Sequence, residues 1–240
     1  MSDAPAQFEA LVQLEAPAQL EALAQLEALA DPANALRVAA YHKAPRRYLG
    51  VTVPQVTALA DQWRIECSLD DRIALAASLW QTNIHEARVA AAKLLTQARI
   101  TPDAAVWDLI CGWVRDFDAW AIADHACDAG NRRLIADPTR IDTVEAWTRS
   151  VNIWTRRAAL VMTLPWTKQN HPKPADLIIR DRVLGWCASY ADDPDWFIQK
   201  AVAWWLRDLS KHDAPRTRAF LDQHGPRLKP FARQEAARHL

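Results

Sequence analysis

The sequence predicts an all-α fold, an α-solenoid of HEAT-like helical repeats with a concave groove, on three observations. From residue 34 onward nearly every segment has helical composition, and nothing alternates with period 2 for long enough to make a strand. Prolines at 54, 102, 138, 174 and 230 fall at or near predicted helix starts, where a missing N–H costs nothing. A helix-pair pattern also recurs: an aromatic ends one helix, a short polar turn follows, and a second, Ala-rich helix opens. Its instances are "LWQTNIHEARVAAAKLL", "WVRDFDAWAIADHACDAG", "WTRSVNIWTRRAALVMTL" and "YADDPDWFIQKAVAWWL", with the aromatics Trp80, Trp113, Trp147 and Tyr190 spaced by 33, 34 and 43 residues. Helix pairs at that period stack into a solenoid, and the second helix of each pair lies along one concave face.

Residues 1–33 form the first predicted element, a low-complexity helical extension. It contains QFEALV, QLEAPA and two copies of QLEALA. Leu, Glu, Ala and Gln favour helix, but a period of 6 spirals the apolar positions around the axis instead of lining them up. No chemistry is expected there. The repeat domain follows over 34–240, with helices predicted over 34–43, 54–66, 70–80, 84–98, 103–115, 119–129, 138–149, 153–164, 174–190, 195–210, 213–223 and 230–239. Asp70 and Thr101 are candidate N-caps.

Composition excludes several functions. There are 5 glycines among 240 residues, all isolated, so no glycine-rich phosphate loop can be built. The 4 cysteines, Cys67, Cys111, Cys127 and Cys187, lie far apart without a CxxC, which predicts buried thiols in a reducing compartment and no zinc site. His85, His125, His212 and His224 lack metal-ligand spacing and read as core or solvated residues. No basic leader and no membrane-length apolar run are present, and the expectation is a cytoplasmic protein. The zero net charge hides a gradient. Residues 1–40 carry six acids and one base, net −5, whereas residues 196–240 carry nine bases and four acids, net +5. A basic C-terminal quarter suits a polyanion, although solvated helix faces give the same count.

One carboxylate stands out. Asp124 lies in "DFDAWAIADHACDAG", a run that otherwise reads as buried helix, and burying a lone carboxylate costs several kcal/mol. It is four residues after Trp120, about 6 Å along a helix and on the same face. In register, the later second helices offer Trp154 with Arg156 and Arg157, and Lys200 with Trp204. Two readings follow. The indoles and the carboxylate make a site for a cationic group while an arginine grips phosphate, or the tryptophans are core and Asp124 makes a structural bridge to Arg157.

From about residue 36 to the end, the chain resembles the DNA alkylation repair family, the AlkD-like glycosylases. The stretches that carry the resemblance are "AYHKAPRRYLGV", "LW…HEARVAAAKLL", "WAIAD", "NIWTRRAALV", "FIQKAVAWWLRDLSK" and "RQEAARHL". The resemblance implies HEAT-like repeats cradling duplex DNA, and a monomeric enzyme, without metal or organic cofactor, that removes N3- and N7-alkylated purines. It implies Asp124, Trp120 and Trp204 as catalytic residues, and Arg157 and Tyr41 as DNA-binding residues; Lys200, offered to the same groove by the helix register, is the third expected DNA-binding residue. In the family an acidic residue often follows the first tryptophan; here Ala121 does. The competing functions are a non-catalytic binder of DNA structures on the same fold and a HEAT scaffold for protein partners.

Overall fold

The computed structural model describes residues 16–240, and among them it is helical, with thirteen α-helices and no strand beyond a single bridge between Arg47 and Ile84. The helices are α1 (Ala16–Ala28), α2 (Pro32–His42), α3 (Val53–Glu66), α4 (Leu69–Gln81), α5 (His85–Leu94), α6 (Ala104–Trp113), α7 (Trp120–Ala136), α8 (Ile141–Trp147), α9 (Ile153–Met162), α10 (Pro174–Ser189), α11 (Trp196–Ser210), α12 (Ala214–His224) and α13 (Pro230–Ala236). They divide into two compact units, 1–133 and 134–240.

In the first unit, α3 and α4 both pack on α5. Trp80 and Trp113, each ending the first helix of a pair, are buried and stack face to face with centroids 4.3 Å apart. The second helix α5 is buried through its alanines. Small side chains there let neighbouring backbones approach closely, which a packed second layer needs. Helix α1 is not a frayed appendage. Ala22 and Leu26 are buried, the helix packs on α4 and α5, and Gln25 accepts a 2.7 Å hydrogen bond from the Trp63 indole. Burial of those two positions packs α1 on the first unit despite its poor periodicity, and the part of the 1–33 extension over residues 1–15 lies outside the described residues.

Three local expectations shift. Asp70 sits inside the first turn of α4, where its charge meets the helix N-terminus, and Ser68 caps instead by accepting from the Asp71 amide. Thr101 precedes a cis proline, and α6 begins only at Ala104. Helix α7 continues past Gly130 to Ala136 because Arg133, fully buried, anchors its last turn: the guanidinium donates to the carbonyls of Gln97, Ala98 and Ile100 and pairs with Asp103 at 3.3 Å.

The second unit repeats the construction. Helix α9 packs on α8 and α11, and α11 packs on α12 and α13. Asn152, Asp195 and Asp213 cap α9, α11 and α12 with side-chain oxygens. Tyr190, the aromatic closing α10, is buried and donates its hydroxyl to the Thr148 carbonyl at 3.1 Å. Arg180 does here what Arg133 does in the first unit. It is 1% exposed, donates to the carbonyls of Trp166 and Gln169, and pairs with Asp213 at 3.2 Å.

Candidate nucleic-acid interface and active site

Asp124 belongs to a stripe, not to the core. Along α7, Ala121, Ile122, Ala123, Ala126 and Cys127 are buried, whereas Trp120 and Asp124 are half-buried and Asp128 is exposed. Positions 120, 124 and 128 recur every four residues and share one helix face. That face rises out of the core, which explains a carboxylate amid alanines. No group of three or more His, Cys, Asp or Glu among the described residues is placed to hold a metal ion.

Around Trp120 the first unit builds a column of rings. Tyr41, 69% exposed, meets Trp120 edge-on with centroids 5.8 Å apart, and His42 lies 5.1 Å from it. His42 stacks on His85 at 4.8 Å, and His85 stacks on Tyr48 at 4.9 Å. Burial pushes the His85 imidazole down to about 3, with His42, Arg46 and His125 adding to the effect; burial, then Lys93, pushes His125 down to about 4. His42 is lowered by burial and by Arg46. The ring column is therefore uncharged near neutral pH. Behind it, the buried side chain of Arg46 pairs with Asp118, while Glu86 accepts from the Leu49 and Gly50 amides at 2.9 and 2.7 Å. Gly50 has φ +81°, and a Cβ there would lie 2.1 Å from the Asp31 carbonyl, so this loop fits only glycine.

In the second unit the tryptophan pair of α11 splits between core and surface. Trp205 is fully buried and donates to the Thr163 hydroxyl at 3.2 Å. Trp204 is half-buried and donates to Asp208 at 3.2 Å. It lines a cleft of about 660 Å³ with Trp196, Lys200, Arg207, Phe231 and Arg238. The Lys200 ammonium stands 4.7 Å above the Trp196 ring. Arg157 is 4% exposed, at the start of the second turn of α9. Its neighbour Arg156 donates to the carbonyls of Ser150 and Val151 and pairs with Asp193 at 3.2 Å.

Of the residues singled out in the sequence, Tyr41 and Trp120 are brought into contact, and Lys200 and Trp204 line one cleft. His42 and Arg46 were not singled out. A histidine directly after the aromatic of "AYHK" was the available signal. The Arg pairs at 46–47, 132–133 and 156–157 each spend at least one member internally: Arg46 on Asp118, Arg47 on Glu27, Arg133 on carbonyls, Arg156 on Asp193. The basic C-terminal segment is also partly neutralised, because Arg207 and Arg238 share Glu235, Arg216 pairs with Asp181 and Asp213, and Arg227 pairs with Asp192. None of the four cysteines is in a disulfide; Cys127 and Cys187 are buried as expected, but Cys67 and Cys111 are half-buried.

Residues 22–240 match the family model described as DNA alkylation repair enzyme. The chain belongs to that family. Its match begins inside α1, in keeping with that helix being packed into the first unit. Among solved structures, a protein from Enterococcus faecalis described as a predicted DNA alkylation repair enzyme superposes with a TM-score of 0.73 at 22% identity, covering 88% of this chain and 96% of that one. AlkD2 from Streptococcus mutans superposes with a TM-score of 0.59 at 18% identity, over 79% and 90% of the two chains. The smu.31 protein of Streptococcus mutans UA159 gives 0.59 at 17% identity, over 78% and 92%. At these identities the structures share the fold. No curated protein matches the chain. No helix among the described residues is long and apolar enough to cross a membrane.

Proposed function

We propose that this member of the family is a monofunctional DNA glycosylase that hydrolyses the N-glycosidic bond of N3- and N7-alkylated purines in duplex DNA. It acts as a cytoplasmic monomer without metal or organic cofactor. The observation that carries the reading is Asp124, half-buried on the same face of α7 as Trp120, in a chain the family model matches over residues 22–240.

Alkylation at N3 or N7 makes the purine cationic. The C1′–N bond breaks with its electron pair going to the purine, which leaves neutral, and positive charge develops on the deoxyribose. A fixed carboxylate stabilises that charge as it forms and orients the water that adds to C1′. The water's proton passes to Asp124 and on to solvent. No acid is needed to activate the leaving base, so one carboxylate suffices where ordinary glycosidases use two. Trp120, beside Asp124, holds the sugar, its face attracting the cationic character, and Trp204 is the second catalytic indole of the reading. Tyr41, Lys200 and Arg157 contact the DNA backbone.

The test is release of N7-methylguanine and N3-methyladenine from methylated duplex, wild type beside Asp124→Asn. The variant keeps shape and hydrogen bonding but removes the charge. Its rate is expected to fall by about 100-fold or more, equivalent to about 2.7 kcal/mol of transition-state stabilisation, with an unchanged melting temperature. A variant that unfolds, yet releases base at the wild-type rate in its folded fraction, would make Asp124 a structural residue. Salt-sensitive duplex binding by a wild type that releases no base would favour a non-catalytic DNA binder.

A further inference from the structure

We propose that His42 is a positioning residue: its ring fixes the indole of Trp120 beside Asp124. The inference rests on the glycosylase reading for its catalytic consequence, and on the first unit alone for its geometry. Two rings touch Trp120. Tyr41 is 69% exposed, so little holds it in turn. His42 is anchored. It stacks on His85, which is 7% exposed, and His85 stacks on Tyr48, whose hydroxyl donates to the Ala44 carbonyl at 3.2 Å. The loop carrying Tyr48 is tied to α5 through Glu86 and the amides of Leu49 and Gly50. The orientation of Trp120 is thus inherited from a packed column through His42. Locked supporting rotamers matter here because small misplacements of a positioning group cost large factors in rate.

The ring is neutral near pH 7. The Nδ1 of His42 is buried and has no hydrogen-bond partner among the described residues. The titratable and charged groups around the imidazole are Tyr41 on its own helix, Arg46 and Tyr48 on the following loop, with Asp118 paired to Arg46, His85 on α5 and His125 on α7. Protonating His42 puts a cation beside buried Arg46, and burial already holds the group below its ordinary value.

His42→Ala and His42→Phe separate positioning from bulk packing. In single-turnover release of N7-methylguanine, His42→Ala is expected to lose about tenfold in rate while duplex affinity stays within about twofold, and His42→Phe, which keeps a ring, to recover most of the loss. The second readout needs no DNA. The emission of Trp120, isolated as the difference between each protein and its Trp120→Phe counterpart, should fall on acidification below pH 6.5 in the wild type, as an imidazolium forms against the indole. It should stay flat in His42→Phe. Unchanged release by His42→Ala, absence of rescue by Phe, or a flat wild-type emission profile overturns the proposal. If His42→Ala does not fold, His42→Phe and the emission titration decide. Failure of the wild type to release any base refutes the glycosylase reading, and the emission titration still judges the positioning claim.

Discussion

Residues 1–133 carry seventeen acids against twelve bases, net −5, and residues 134–240 carry twelve acids against seventeen bases, net +5. The two units are built alike, from paired helices locked by a buried arginine, but they differ in charge and in what surrounds the half-buried tryptophan singled out in each. In the first unit, Trp120 is backed by uncharged rings and followed by a carboxylate. In the second, Trp204 shares a cleft with Lys200, Arg207 and Arg238. Under the proposed function, the first environment suits positive charge developing on a sugar and the second suits a polyanion. The comparison teaches that the repeat supplies the scaffold and that the few residues escaping the core decide the chemistry.

The largest effect tests the shared construction. Arg133→Ala and Arg180→Ala each strip two or three carbonyls of their donor and take a buried guanidinium from a half-buried acid, Asp103 or Asp213, the latter still held by Arg216. Removing one member of a buried ion pair costs about 3–5 kcal/mol. Both variants should lower the urea midpoint, and by similar amounts. A large loss from one and none from the other would mean that the units are not built on the same device.

The second effect belongs to the first unit alone. His85 and His125 are held neutral, at about 3 and about 4, whereas in the unfolded chain they titrate near their ordinary value of 6.5. Below pH 6.5 the unfolded state binds protons that the folded state refuses. The stability from burying these rings is therefore complete above 6.5 and is lost progressively as pH falls toward the folded values, on the order of several kcal/mol in all. The second unit's four histidines are exposed or half-buried. Acid unfolding followed by hydrogen exchange should show unit one losing protection first, and His85→Phe should narrow the gap. Simultaneous loss in both units would remove this distinction between them.

Much of this was legible in the sequence, for identifiable reasons. The helix pairs and their closing aromatics were readable because Trp80, Trp113 and Trp147 repeat at 33 and 34 residues, Tyr190 follows after 43, and all four sit at helix ends in the structure. Trp120 and Asp124 were readable because four-residue spacing survives translation into a helix face. The burial of Arg133 and Arg180 was not: a guanidinium that binds carbonyls from other segments looks, in one dimension, like any surface arginine. Nor was the His42–His85 stack, which joins residues 43 positions apart without a shared motif. The packing of α1 was obscured by its repeat, since only Ala22 and Leu26 in it are deeply buried hydrophobics.

A third effect compares the two indoles. Cation–π stabilisation is worth about 0.5–2 kcal/mol for an aromatic face. Trp120→Phe and Trp204→Phe should each lose less than about tenfold in base release, and the Ala variants more. If Trp204→Ala acts only through KM while Trp120→Ala acts through kcat, the division between units is sharper than the proposal requires. If neither alanine variant changes release, the indoles are packing residues.

The smallest effect separates phosphate binding from folding in the second unit. Lys200 is exposed, with its ammonium on the Trp196 ring, so truncation removes charge with little buried contact. Arg157 is 4% exposed, and truncating it removes packing as well. Each phosphate contact contributes roughly one log unit in binding constant per log unit of salt. Lys200→Ala should therefore flatten the salt dependence of duplex binding by about one contact while leaving the melting temperature in place. Arg157→Ala is expected to lower the melting temperature, and its slope is informative only on the fraction that remains folded. An Arg157→Lys variant that folds keeps the charge and should keep the slope. An unchanged slope in Lys200→Ala would place the cleft off the DNA path, and the net +5 of the second unit would then be the charge of solvated helix faces and internal ion pairs, not of an interface.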